Sequence, residues 1–122
     1  MIKIENISKS FDQIKVVDNI STEFEKGKTN LIIGQSGSGK TVFLKCLLGL
    51  FEPDEGNICY NGQIYSELST KQKRNLRQEM GMVFQGSALF DSMTVEGNVM
   101  FPLDMFTKQS QSEKQDRVDF VL

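Results

Sequence analysis

The stretch "GQSGSGKT", residues 34–41, places three glycines and two serines directly between two apolar segments. The preceding segment, "TNLII" (29–33), has the length and composition of a short strand that is buried on both faces. The following segment, "VFLKCLLGL" (42–50), carries Lys45 as its one charge, so we predict a buried helix over Thr41–Leu50. Packing alone does not explain why the most flexible residues, followed by a lysine, join two buried elements.

Phosphate chemistry explains this junction. The eight residues match G-x-x-x-x-G-K-[ST], the pattern of a phosphate-binding loop. Its glycines allow successive backbone N–H groups to turn inward, and the N-terminus of the following helix adds further donors. Lys40 is expected to reach the β- and γ-phosphates, and the Thr41 hydroxyl to coordinate Mg²⁺. The predicted nucleotide site consists of Gly34, Gln35, Ser36, Gly37, Ser38, Gly39, Lys40 and Thr41.

Composition excludes several other classes of function. The chain has 122 residues, 39% of them hydrophobic and 25% charged, which suits one globular domain or part of one. A net charge of −2 favours neither nucleic acid nor anionic lipid as a partner. The absence of histidine removes histidine-based catalysis and the commonest metal ligand. Cys46 and Cys59 form no CxxC motif, and we interpret both as reduced thiols, with Cys46 inside the helix.

The N-terminal half of the chain is predicted to be rich in strands. "IKIENI" alternates between apolar and polar residues, and "IKVVDNISTEFE" predicts one or two further strands. "KGK" at Lys26–Lys28 predicts a turn, and "NICYNGQIY" predicts a hairpin that turns at Asn61-Gly62. An antiparallel β layer therefore accompanies the loop and its helix.

The second half is predicted to contain mainly helices. "STKQ" at Ser69–Gln72 fits a capping box, from which a basic helix runs to about Met80, and "GMVF" predicts a short apolar strand. "VEGNVMFPL" predicts a short helix that stops near Pro102. "SEKQ" at Ser112–Gln115 fits a second capping box at the start of another helix. The fold class is therefore α/β with an attached antiparallel β layer.

Three motifs together resemble those of the ATP-binding cassette (ABC) ATPases. "GQSGSGKT" is similar to the family's G-x-[ST]-G-[SA]-G-K-[ST] loop, and "ISKSFDQIKVVDNIS" resembles its N-terminal β layer, where Phe11 matches the aromatic that stacks on adenine. "GMVFQ" resembles the glutamine loop, since Gln85 follows Lys40 by 45 residues. The resemblance implies ATP and Mg²⁺ as ligands, Lys40 and Gln85 as catalytic residues, and Thr41 and Gln85 on the metal.

The segment after Gln85 is similar to one subfamily, the ATPases of Mla-type phospholipid transporters. The resemblance rests on "GSALFDS" and "NVMFPL". It implies phospholipid transport between bacterial envelope membranes and a cytoplasmic protein attached to the inner face of the plasma membrane. The apolar run Ala88–Phe90 lies in a predicted loop, which favours contact with a transmembrane permease subunit. Packing of Leu89 and Phe90 into this chain's own core is the alternative.

Other motifs of the family are absent from these residues. There is no LSGGQ-type signature, no apolar strand ending in Asp-Glu, and no switch histidine. The resemblance therefore identifies residues 1–122 as the N-terminal part of an ABC nucleotide-binding domain, a P-loop NTPase core truncated in its helical subdomain. ATP hydrolysis is expected of the full-length protein, which would pair with a second ATPase subunit in a nucleotide-sandwich dimer.

Two other classes of function use similar loops. Non-transport ABC ATPases of DNA repair or translation would carry a basic face or long insertions after the glutamine loop, whereas "FDSMTVEGNVMFPLD" is acidic to neutral, so no nucleic-acid partner is expected. A small-molecule kinase would need an arginine-rich lid, and the chain has only Arg74, Arg77 and Arg117. A GTPase would need an NKxD motif, which is absent.

Overall fold

The computed structural model describes all residues from 1 to 122 and divides into two compact units, Met1–Gly81 and Met82–Leu122. Four strands and two helices belong to the first unit, and two helices belong to the second. None of the four helices has the length and apolar character needed to cross a membrane. The elements are β1 (Ile2–Phe11), β2 (Ile14–Phe24), α1 (Lys40–Leu47), β3 (Glu55–Tyr60), β4 (Gln63–Ile64), α2 (Thr70–Gln78), α3 (Val95–Phe106) and α4 (Gln111–Val121), with a 3-10 turn at Tyr65–Glu67.

The strands form one antiparallel sheet in the order β2-β1-β3-β4. The β3–β4 turn lies at Asn61-Gly62, as predicted, with φ angles of 49° and 84° that suit a two-residue hairpin. Asp12 and Gln13 adopt φ angles of 47° and 66° and close the β1–β2 hairpin in the same way. The predicted antiparallel β layer is therefore confirmed, with β1 and β3 as its inner strands.

One face of the sheet packs against α1. The helix turns Phe43, Cys46 and Leu47 inward, and the buried Tyr60 hydroxyl donates a hydrogen bond to the Leu47 carbonyl. The helix ends three residues earlier than predicted, and Leu44 on its outer side is exposed. The buried cluster comprises Ile4, Ile7, Val17, Phe43, Cys46, Leu47, Ile58, Tyr60 and Tyr65.

Two predicted strands do not form. The segments 29–33 and 81–84 pair with no other strand of the chain. Leu31 is 85% exposed, so segment 29–33 is not buried as predicted, and Val83 in segment 81–84 is 97% exposed. A strand exists only where a neighbour supplies hydrogen bonds, and parallel neighbours come from distant parts of a sequence. The apolar composition indicates a strand correctly only when such a neighbour is present.

Helix α3 in the second unit does not stop at Pro102 but continues to Phe106. Proline removes one helical hydrogen bond and its ring crowds the preceding turn. Beyond Pro102, the Thr107 hydroxyl donates to the Leu103 carbonyl at 2.7 Å, and Lys114 Nζ of α4 lies 2.9 Å from the Asp104 carboxylate. Both contacts favour the continuous helix. Tertiary packing therefore outweighs the local signal that proline gives.

The first predicted capping box is confirmed at Ser69 and Gln72, but the second lies at Ser110 and Glu113, two residues before the predicted Ser112. The Glu113 amide donates to Ser110 Oγ at 3.3 Å, and the Ser110 amide donates to Glu113 Oε2 at 2.8 Å. The Ser110 amide and hydroxyl lower the pKa of Glu113. Because the folded pKa is lowered, this stabilisation is complete above the ordinary pKa of glutamate and is lost as pH falls through the folded value.

Replacing the cap residue should distinguish the two serines. Ser110→Ala removes the acceptor for the Glu113 amide and is expected to destabilise α4 by about 1 kcal/mol. Ser112→Ala leaves both bonds intact, and its expected effect lies within about 0.5 kcal/mol. Hydrogen exchange of the α4 amides measures both variants. Loss of protection in Ser112→Ala but not in Ser110→Ala would instead support a helix that begins at Ser112.

Candidate functional site

The loop at residues 34–41 packs directly on strand β2. Gly39 has a φ of +94°, and a Cβ atom built there would lie 2.5 Å from the carbonyl oxygen of Val16. A Cβ on Gly34 would lie 2.7 Å from Ser38 Oγ, so the loop also closes on itself. Glycine at position 39 therefore lets the loop backbone meet the β2 backbone, and glycine at position 34 leaves room for the Ser38 side chain in the curled form that the motif predicts.

The first amide groups of α1 have no hydrogen-bond acceptor within the helix. Gly39 caps the helix without a side-chain hydrogen bond, and the first helical bond runs from the Phe43 amide to the Gly39 carbonyl at 2.9 Å. The amides at positions 40–42 therefore lack an acceptor within the helix. Donors at a helix N-terminus attract anions because the helix dipole adds to them. This end of α1 fits a phosphate group.

Lys40 folds its side chain over the loop. Its Nζ donates to the carbonyl oxygens of Gly34 and Gln35, both at 2.7 Å, and lies 3.4 Å from Ser38 Oγ. The ammonium group is thus held at the loop by neutral acceptors. Anionic phosphate oxygens are stronger acceptors for an ammonium than carbonyl oxygens are. A bound phosphate would therefore compete effectively for this lysine.

Phe11 ends strand β1 and is 39% exposed. Its ring meets the Phe51 ring edge to face, with centroids 5.3 Å apart and an interplanar angle of 68°. Lys9 Nζ lies 5.4 Å from the centre of the Phe11 ring. Phe11 is also paired with Ile14, two residues before the Val16 that contacts Gly39. The first unit therefore brings the predicted base platform and the predicted phosphate loop to the same end of β2.

Asp54 also holds this end of the sheet, and the sequence motifs did not indicate it. Its carboxylate accepts hydrogen bonds from Lys9 Nζ at 2.8 Å and from the Ser10 amide at 2.6 Å. These bonds, from Lys9 first and Ser10 second, lower the pKa of Asp54. The only local signal is that an aspartate follows a proline in "EPDEG", a pattern that is typical of any turn.

Gln85 belongs to the second unit, where it lies exposed in a turn with Gly86. The segment that follows is exposed as well: Leu89 is 65% exposed and Phe90 is 47% exposed. The Phe90 ring contacts the Phe101 ring, and Leu89 is the more exposed of the two residues. Of the two alternatives for this segment, packing into the chain's own core applies only to part of Phe90.

Asn98 fixes the shape of this segment, and sequence reasoning missed it too. Its side chain accepts a hydrogen bond from the Phe90 amide at 2.7 Å. It donates to the carbonyls of Phe90 at 3.1 Å and Thr94 at 2.9 Å. Asparagine inside a helix often bonds to nearby backbone, which is the signal that could have found it. The exposed apolar residues therefore lie on an ordered loop.

The residues offer Mg²⁺ no site of their own. Nowhere in the chain do three carboxylate, cysteine or histidine side chains cluster as a metal site would require. Thr41 is exposed in the first turn of α1, next to the free amides. Mg²⁺ at nucleotide sites typically takes few protein ligands and completes its shell with phosphate oxygens and water. The donor set is compatible with metal that arrives together with a nucleotide.

Known proteins are similar to this chain in sequence. The chain is 41% identical over 118 residues to the methionine import ATP-binding protein MetN of Clostridioides difficile, an alignment that covers 97% of this chain and 36% of that protein. It is 37% identical over 117 residues to the "Probable ribonucleotide transport ATP-binding protein mkl" of Mycobacterium leprae, covering 96% of this chain and 34% of that protein. The chain therefore spans about a third of the length of the curated relatives it matches.

The solved structures that are similar to this chain are also ATP-binding proteins of transporters. The dimeric bacterial ABC transporter cassette MJ0796 aligns with a TM-score of 0.85 and 28% identity, covering 96% of this chain and 53% of that chain. The cbiO1 protein of Clostridium perfringens, part of the transporter complex cbiONQ, aligns with a TM-score of 0.80 and 26% identity, covering 97% of this chain and 47% of that chain. The family model for ABC transporters matches residues 17–122. With that match over most of its length, the chain belongs to the ABC transporter family and has the fold of its ATP-binding cassettes.

Proposed function

We propose that this chain binds ATP through the loop at 34–41, as the ATP-binding component of a transporter. The observation that carries the proposal is the uncapped start of α1 beside the curled loop and the Lys40 ammonium. In the proposed complex, the loop and helix amides hold the phosphates and Lys40 contacts the β- and γ-phosphates. Each of these groups is a donor, which matches the charge of the ligand.

The base end of the proposed site is formed by Phe11. The step from Ile14 to Val16 along β2 covers about 7 Å. Phe11 pairs with Ile14, and Val16 abuts Gly39, so the ring and the loop are within reach of one extended nucleotide. Stacking on a partly exposed phenylalanine contributes on the order of 1 kcal/mol. Phe11 is the proposed adenine platform.

Mg²⁺ and hydrolysis form the finer part of the proposal. Thr41 is the proposed protein ligand of a Mg²⁺ ion that also binds the phosphates, and Gln85 is proposed to act on the metal near the attacking water. When bound, the metal would neutralise charge that develops on the transferred phosphate. The water-activating carboxylate and the signature loop are not among residues 1–122, so turnover is a property proposed for the whole protein and its nucleotide-sandwich dimer.

Removing the Lys40 ammonium tests nucleotide binding. Lys40→Ala is expected to weaken Mg·ATP binding by about 10-fold or more, because it removes a charge-assisted contact to the phosphates. Lys71→Ala, which removes an exposed lysine of α2, serves as the matched control and should bind normally. Titration calorimetry measures both. Equal affinity in wild type and Lys40→Ala would refute the proposed phosphate site.

The second unit offers a surface for a membrane partner. We propose that the loop around Leu89 and Phe90 binds a transmembrane permease subunit at the inner face of the plasma membrane. Ordered apolar side chains that remain exposed are typical of partner surfaces. Here Asn98 holds the loop in one shape while Leu89 stays exposed, which supports a preformed docking site.

Leu89→Glu tests this surface more cleanly than Phe90→Glu, because Phe90 also packs on Phe101. In the whole protein, Leu89→Glu is expected to abolish co-purification with the membrane subunit while Mg·ATP affinity is unchanged. Met105→Glu is the control, since Met105 is a similarly exposed apolar residue of the same unit, at 57% against 65% for Leu89. Undiminished recovery of the membrane subunit with Leu89→Glu would remove the proposed surface.

Phospholipid is the proposed cargo of the whole transporter. The proposal rests on the similarity of "GSALFDS" and "NVMFPL" to the phospholipid-transporter subfamily, whereas the named relatives concern methionine import and ribonucleotide transport. In the reconstituted transporter, phospholipid is expected to raise ATP hydrolysis at least about twofold, and methionine and ribonucleotides are expected to leave it unchanged. Differential binding to one conformational state is what allows a cargo to do this. Stimulation by methionine alone would assign the chain to a different cargo.

A further inference from the structure

The segment 48–54 between α1 and β3 extends the pairing with β1 by one residue before β3 begins. The Asp54 amide donates to the Ser8 carbonyl at 2.8 Å, next to the last β1–β3 pair, Ser8 and Glu55. Two residues further along β1, no residue of β3 lies opposite Ser10. The Ser10 amide donates instead to the Asp54 carboxylate at 2.6 Å. At Ser10, the residue just before Phe11, the Asp54 side chain thus provides the acceptor that a neighbouring strand would otherwise provide.

The same carboxylate also holds the Lys9 side chain. Lys9 Nζ lies 2.8 Å from Asp54 Oδ1 and 5.4 Å from the centre of the Phe11 ring. The ammonium is therefore placed against the aromatic ring by the aspartate. Both the backbone and the charged side chain that flank Phe11 depend on one group.

Phe51, from the same segment, supports the ring itself. The Phe51 ring contacts the Phe11 ring edge to face. The backbone of Phe51 is itself bonded to α1, since its amide donates to the Lys45 carbonyl at 3.2 Å. Lys45 Nζ lies 5.3 Å from the centre of the Phe51 ring. The Phe11 ring is thus held at its edge while the end of its strand is held by Asp54.

We propose that Asp54 is a positioning residue for the nucleotide base: through Ser10 and Lys9 it fixes the orientation of the Phe11 ring on which the base stacks. The inference rests on the proposed function of the loop and of Phe11. The hydrogen bonds of Asp54 go to Lys9, Ser10 and Ser8, none of which belongs to the loop at 34–41. We therefore expect Asp54 to affect the base end of the ligand and not the phosphates.

Two probes distinguish an effect on the base end of the site from an effect on its phosphate end. Mg·ATP engages the base platform and the loop, whereas Mg·tripolyphosphate engages the loop alone. Asp54→Ala removes both hydrogen bonds and is expected to weaken Mg·ATP binding about three- to fivefold, because a displaced Phe11 ring loses part of its stacking contact with the base. Binding of Mg·tripolyphosphate should change by less than about 1.5-fold. Glu52→Ala is the matched control, because the Glu52 carboxylate lies near Lys73 instead, at 3.5 Å.

Two further variants test the route through Phe11. Asp54→Asn keeps an acceptor for the Ser10 amide but loses the charge that holds Lys9, so its effect should be intermediate. If Asp54 acts through Phe11, the double variant Asp54→Ala/Phe11→Ala should bind Mg·ATP as Phe11→Ala does, within about 1.5-fold. All affinities are measured on the same chain by titration calorimetry.

Equal weakening of both probes by Asp54→Ala would show a general effect on the fold and overturn the inference. Additive losses in the double variant would do the same. If Phe11→Ala weakens Mg·ATP binding but Asp54→Ala does not, the inference fails while the proposed base platform stands. If Phe11→Ala changes nothing, the platform itself is wrong and the inference falls with it.

Discussion

The contact between the loop backbone at Gly39 and the backbone of β2 at Val16 is the constraint on which the first unit depends. No side chain takes part on the glycine side, and the positive φ of Gly39 allows the approach. Helix α1 begins at the next residue, so this contact fixes where the helix starts and in which direction it runs. The inward face of α1 meets the sheet, and the free amides at its start lie beside β2, as a consequence.

Signals carried by a few adjacent residues predicted the structure well. Three such features lie where the sequence predicts them: the turn at Asn61-Gly62, the helix after the glycine-rich loop, and the capping box at Ser69. Each depends on the chemistry of a few adjacent residues. The box at Ser110 shows the limit of such signals, because both Ser110 and Ser112 fit a capping pattern. Starting at Ser110 adds two residues to α4 and its helical hydrogen bonds. A helix of this length gains from an earlier start when a cap is available there.

Features that depend on distant residues could not be predicted from the sequence. The segments 29–33 and 81–84 have the composition of strands, yet composition does not supply a neighbour. Pro102 gives a local stop signal, yet α3 continues past it to residues where Asp104 pairs with Lys114 of α4. Asp54 reaches Ser10 across 44 residues of sequence, so no local pattern could link it to Phe11. In the proposed site, the phosphate end follows from a contiguous motif, whereas the support of the base end involves residues that are far apart in the sequence.

The two ends of the proposed site use different physics, and this difference bears on what the site selects. Backbone amides and one lysine form the phosphate end, so its shape depends on glycine conformation more than on side-chain identity. Side chains form the base end, where one ring depends on Phe51 and Asp54 for its orientation. An aromatic ring offers a π-face, not hydrogen bonds to the edges of a base. Such a site separates nucleotides from simple phosphates by stacking but chooses only weakly between one purine and another.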